Sequence, residues 1–135
     1  MTVITELTVR QRVDAGWAVM DAEDPGWWRE DASLPVDLAV LDLDEVDLCI
    51  LGQRCPLELR PADSDYTRPA PFWAYAYVLA DVAGKAAEGT WDDVVAKWAA
   101  QHGFTTLSTS DGMHEEFAEL GSEWFRRITE RRAAA

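Results

Sequence analysis

Apolar side chains recur every three or four positions along most of this chain, and that spacing predicts helices. Leu7, Val13, Trp17 and Met20 fall on one face of a helix from about residue 6 to residue 21, after which Pro25-Gly26 punctuates the chain. Trp27 and Trp28 follow directly, placed to close over the end of that helix. Phe72, Tyr75, Ala76, Leu79 and Ala83 mark a second helix ending near Gly84. Trp91, Val94, Val95, Trp98 and Ala99 follow the i, i+3, i+4, i+7, i+8 pattern of a third. Thr90 and Asp93 occupy capping-box positions for it, and Gly103 supplies a left-handed stop. A last helix begins near Ser110 or Asp111 and buries Met113, Phe117, Leu120, Trp124 and Ile128.

Between the first and second helices the pattern supports two readings. Leu34, Val36, Leu38 and Val40 alternate as in a strand, whereas Leu43, Val46 and Ile50 also fit a helix. Asp42, Asp44 and Asp47 lower both propensities, so the expectation is short extended pieces followed by a helical turn over 44–51. From residue 52 to 71, Pro56, Pro61, Pro69, Pro71 and Asp63-Ser64-Asp65 predict a long loop or insertion. The fold class is therefore mainly α: a small single-domain bundle of about four helices, with an irregular or short-strand segment near 34–71.

Composition agrees with a folded domain. The chain has 135 residues, 48% of them hydrophobic, including seven Trp. No apolar run reaches the ~18 residues of a membrane span, and the amino-terminal residues lack a secretory pattern, so a cytoplasmic location is the expectation. Cys49 and Cys55 are the only cysteines and are expected to remain thiols there.

Charge changes the picture more. The formal charge is −13, which disfavours direct binding to nucleic acid or to anionic membranes. Residues 21–48 hold ten acids against Arg29 alone, while Arg126, Arg127, Arg131 and Arg132 cluster near the end of the last helix and suit its dipole.

The chemistry sought is mostly missing. Gly84-Lys85-Ala86 lacks the upstream glycine and the hydroxyl of a phosphate loop. The run Asp42-Leu43-Asp44-Glu45-Val46-Asp47 lacks the glycine and terminal Glu of a calcium loop and reads as a solvated acidic face. Cys49, Cys55, His102 and His114 could supply four zinc ligands, but five residues separate the cysteines and eleven the histidines, unlike the close pairs of structural zinc sites. Cys49 with His102 or His114 is the one nucleophile-base assembly to weigh; flanked by Leu48 and Ile50-Leu51, Cys49 reads as core. No cofactor or metal is expected. The aromatic runs Trp27-Trp28 and Phe72–Tyr77 put rings on opposite sides of the chain, so Trp28, Trp73 and Tyr77, with Asp42, Asp44 and Asp47, are the candidate partner-binding residues. The alternative is that these rings fill a second face of the core.

Taken in order, Pro25-Gly26-Trp27, Leu41-Asp42-Leu43, Cys49-Ile50-Leu51-Gly52-Gln53, His102-Gly103-Phe104 and Phe117-x2-Leu120-x3-Trp124-x3-Ile128 resemble a family of small proteins of unassigned function from actinobacteria and their phages. Val46 stands where members often carry another cysteine, and residues 54–71 look inserted relative to shorter members. The resemblance implies a phage or actinobacterial origin and no particular activity. The leading expectation is a non-enzymatic accessory protein, phage-related, that binds a host or phage protein. One alternative is that the acids of 21–48 imitate DNA phosphates and occupy a nucleic-acid-binding protein. Self-association through the aromatics and an enzyme built on Cys49 are the others.

Overall fold

The computed structural model describes residues 8–60, 70–84, 91–106 and 112–135, except for the side chains of 91–93. Helix α1 spans Val9–Glu23, α2 Ile50–Arg54, α3 Pro71–Val82, α4 Trp91–Gln101 and α5 Met113–Ala134, with a 3-10 turn at Leu57–Leu59. There is no strand among the described residues, and none of their helices is long and apolar enough to cross a membrane. The protein is thus a small helical domain in which α1 packs on α4 and α5, and α3 on α2 and α4.

Local chemistry sets the helix ends. Thr8 caps α1 through a full capping box: its Oγ1 accepts from the Gln11 amide at 3.0 Å, and Gln11 Oε1 accepts from the Thr8 amide at 2.9 Å. Leu7 lies outside the described residues. Pro71 opens α3 at its first turn, where no amide donor is needed. Gly103, with φ at +72°, ends the turn after α4 as its spacing predicts. Ser110, Asp111, Thr90 and the Asp93 side chain lie outside the described residues; the residue that precedes α5 is Gly112.

Most of the predicted stripe positions form the core, although Trp17, Val94, Met113 and Phe117 are only partly buried and Ala83 is exposed. Val13, Met20, Phe72, Tyr75, Ala76, Leu79, Val95, Trp98, Ala99, Leu120, Trp124 and Ile128 are all buried. Rings from four parts of the chain meet at the centre. Trp124 stacks on Phe104 at 5.4 Å and faces Trp27 edge-on at 5.8 Å, and Trp17 closes on Trp27 at 4.9 Å. Gly16 lets α1 approach: a Cβ there would stand 2.0 Å from the His102 carbonyl and 3.0 Å from the Trp124 ring.

Segment 34–54 departs from expectation. Val36 is buried and Leu34 and Leu38 partly so, as alternation predicts, but no second strand pairs with them. The Gln53 side chain takes the place of a strand, accepting from the Asp37 amide at 2.6 Å and donating to the Asp37 and Leu48 carbonyls. Residues 43–48 form turns in place of the expected helical turn. Asp42 Oδ1 accepts from the Asp44 amide at 3.0 Å, a local bond that competes with helix formation. The helix starts only at Ile50, after Cys49, whose sulfur accepts from the Gly52 amide at 3.3 Å. The long loop expected over 52–71 is also shorter: Gly52, Gln53 and Arg54 belong to α2 and Pro71 to α3, while 61–69 lie outside the described residues.

Arginines tie these parts together by satisfying carbonyls. Arg60 donates to the carbonyls of Gly52, Gln53 and Cys55 at the end of α2. Arg132 donates to those of Trp28 and Val36, both at 2.7 Å, and Arg127 joins α5 to Asp14 on α1. The terminal arginines thus cross-link α5 to α1 and to the segment after it, beyond any effect on the helix dipole. Arg54 forms a two-pronged pair with Asp24 at 2.6 and 2.9 Å and also donates to the Leu34 carbonyl. Burial and the same carboxylate push the Tyr75 phenol up, so Tyr75 stays protonated and donates to Asp24 at 3.0 Å.

Candidate functional site

The candidate catalytic thiol serves packing. Cys49 is buried, and burial pushes it up to about 12, the nearby Gly52 amide opposing only in part. An unfolded thiol ionises near pH ~8.5, well below the folded value. Stability linked to this group is therefore complete below that pH and declines as pH rises towards 12. In a Cys55→Ser background, Cys49 is expected to resist iodoacetamide at pH ~8 until denaturant is added, because only thiolate reacts. Rapid alkylation of the native protein would contradict this placement.

The histidines lie apart in role. His102 stacks on Trp98 at 4.5 Å, and its Nδ1 lies 2.7 Å from the Trp98 carbonyl. His114 is exposed, with Nδ1 3.8 Å from Asp44 Oδ2. No group of three or more His, Cys, Asp or Glu among the described residues is arranged to hold a metal ion.

The six candidate partner-binding residues divide. Trp28 is 9% exposed and covered by the Arg131 guanidinium, 4.5 Å from its ring centroid. Trp73 and Tyr77 are partly buried against the core, with Trp73 edge-on to Phe72 at 4.8 Å. Trp28 is thus largely covered, whereas Trp73 and Tyr77 keep part of their surface exposed. Asp47 is exposed, and its backbone closes over Gly52.

Asp42 and Asp44 do converge on a feature. They stand on the turn that faces α5 across a groove of about 530 Å3, with Leu41, Phe117, Gly121 and Phe125 along its apolar lining. The buried Leu43 plugs the turn into the core, and bonds from the Asp42 amide to the Leu48 carbonyl and from the Glu45 amide to the Asp42 carbonyl fix its shape. His114 and Asp44 approach one another across the groove. Phe125 is 46% exposed, a large ring left in water at the groove's edge.

Phe125 and Gly121 went unremarked in the sequence because they lie off the buried stripe of α5. The signal was present: Phe117, Gly121 and Phe125 repeat at i, i+4, i+8 and so form a second row beside Leu120, Trp124 and Ile128. Chemically the groove offers apolar contact below and two carboxylates above, with His114 and Ser122 also in its lining. Comparison with protein-family models, with curated proteins and with solved structures finds no match to this chain.

Proposed function

We propose that this is a non-enzymatic, phage-related accessory protein that binds another protein, with the α5 groove as its docking surface. The observation that carries the reading is the exposed Phe125 beside an apolar floor and an acidic rim, because apolar anchors inside a polar border are the usual composition of a binding patch. The partner belongs to the host or the phage, in keeping with the resemblance to small actinobacterial and phage proteins.

The test is affinity capture from an actinobacterial lysate with the wild-type chain and with an Asp42→Lys/Phe125→Ser variant shown by circular dichroism to be folded. A protein retained by the wild type is expected to bind the variant at least about tenfold more weakly, a loss of ~1.4 kcal/mol. Equal retention by both would overturn the reading.

The second reading, imitation of DNA phosphates, draws on the exposure of Asp37, Asp42, Asp44, Glu45 and Asp47. Arginine partners engage Asp21, Asp24 and Asp31, which leaves those five acids and the exposed Glu23 and Glu30 to form the mimic. It differs in outcome: binding would fall with Asp42→Asn/Asp44→Asn/Asp47→Asn and survive Phe125→Ser.

A further inference from the structure

We infer that the occupant of the α5 groove is a cationic amphipathic helix of the partner, packed across Gly121 with an apolar residue between Phe117 and Phe125. This rests on the docking reading above and adds the chemistry of what docks.

Gly121 is the first observation. It lies within a 22-residue helix, although glycine is among the poorest helix formers. Among the described residues nothing accounts for it, because a Cβ at this position would meet none of their atoms within 4 Å. Gly16 differs, since its missing side chain makes room for the His102 carbonyl. A glycine open to the outside lowers the groove floor and lets a foreign backbone come close.

The flanking rings supply the second. Phe117 and Phe125 stand one turn to either side of Gly121, each ~6 Å along the axis. They wall a slot for an apolar side chain, and the exposed Phe125 loses water when the slot fills.

Charge supplies the third. Asp42 and Asp44 face the groove on a chain whose formal charge is −13, so an occupant bearing Lys or Arg is attracted and a second copy of this chain is repelled. The floor is a helix, and the described residues offer no sheet edge to extend, so helix-in-groove packing is the mode that fits.

The probe is a fluorescent synthetic peptide of about 18 residues, with Leu on one helical face and Lys on the other. A scrambled peptide of the same composition and a version with Glu in place of Lys are compared by anisotropy. The amphipathic Lys peptide is expected to bind at least about tenfold more tightly than either. Gly121→Arg, which fills the slot with a good helix former, is expected to weaken binding about tenfold while leaving the thermal midpoint undiminished. Asp42→Lys/Asp44→Lys is expected to weaken it similarly, whereas Glu23→Lys/Glu30→Lys, the same charge change at exposed sites outside the groove, costs less than about threefold. Equal losses from the two charge reversals, or equal binding of the scrambled peptide, would mean attraction by net charge alone and overturn the inference. If the peptide fails but a lysate partner is still lost with Asp42→Lys/Phe125→Ser, this inference falls and the docking reading stands; if neither binding responds, both fall. Sedimentation showing a dimer that Gly121→Arg dissolves would also overturn it, since the occupant would then be a second copy.

Discussion

Trp124→Ala is expected to remove about 3–5 kcal/mol of folding stability, a large part of the ~5–15 kcal/mol that holds a typical domain together. The ring is fully buried and joins α5 to three other parts of the chain: Trp17 on α1, Trp27 beyond it, and Phe104 beyond α4. Its indole Nε1 also donates to the Gly103 carbonyl at 2.8 Å, within the tight turn that ends α4. Alanine therefore leaves a cavity and an unsatisfied buried carbonyl together. Trp124→Phe separates the two effects, because it keeps a ring against Phe104 and loses only the donor and part of the volume. Its expected cost is smaller, about 1–3 kcal/mol. Urea unfolding followed by far-ultraviolet circular dichroism is the measurement, since seven Trp make fluorescence ambiguous. With an ordinary slope, the alanine variant should shift the midpoint down by about 2 M at unchanged slope. A loss under ~1 kcal/mol would show that the aromatic cluster does not organise the core.

Trp124 was legible in the sequence for the same reason its loss is costly. Large apolar residues at intervals of three and four declare a buried helix face, and α1, α3, α4 and α5 all carry that pattern. Segment 34–54 was not legible, because the partners that fix it are distant and polar: Gln53 for Asp37, Arg132 for Val36, Arg54 for Leu34. No local period encodes such bonds. Arg12 and Arg54 were missed for a related reason, since an isolated arginine reads as surface until its acceptors are known. The surplus of aromatics predicted exposed anchors at Trp28, Trp73 and Tyr77, yet Arg131 covers Trp28, and Trp73 and Tyr77 pack partly against the core. The candidate site was half visible. Asp42 and Asp44 stood out as acids, while the groove beneath them depends on how a turn lies over α5.

Arg12→Met is expected to cost about 3–5 kcal/mol, although the side chain it introduces is apolar and similar in length. Arg12 is 3% exposed, and its guanidinium spreads over three acceptors: the Ala100 carbonyl at the end of α4, the Thr105 carbonyl just beyond, and Glu116 on α5, each at 2.8 Å. Removing it leaves a largely buried carboxylate without this partner and two carbonyls short of a donor, and that desolvation dominates the loss. Glu116→Gln is the milder change, about 1 kcal/mol, because the guanidinium keeps both carbonyls. Arg12→Lys discriminates charge from geometry: it restores a positive group but cannot span acceptors on two helices and a loop with a planar fork. It is therefore expected to recover less than half of the stability lost by Arg12→Met. Full recovery by lysine would mean that charge alone holds α1, α4 and α5 together here. The Arg12→Met/Glu116→Gln pair completes the cycle. It should regain the part of the loss due to the broken ion pair and leave the part due to the carbonyls, so that the coupling measured between positions 12 and 116 isolates the ion pair from the helix end it caps.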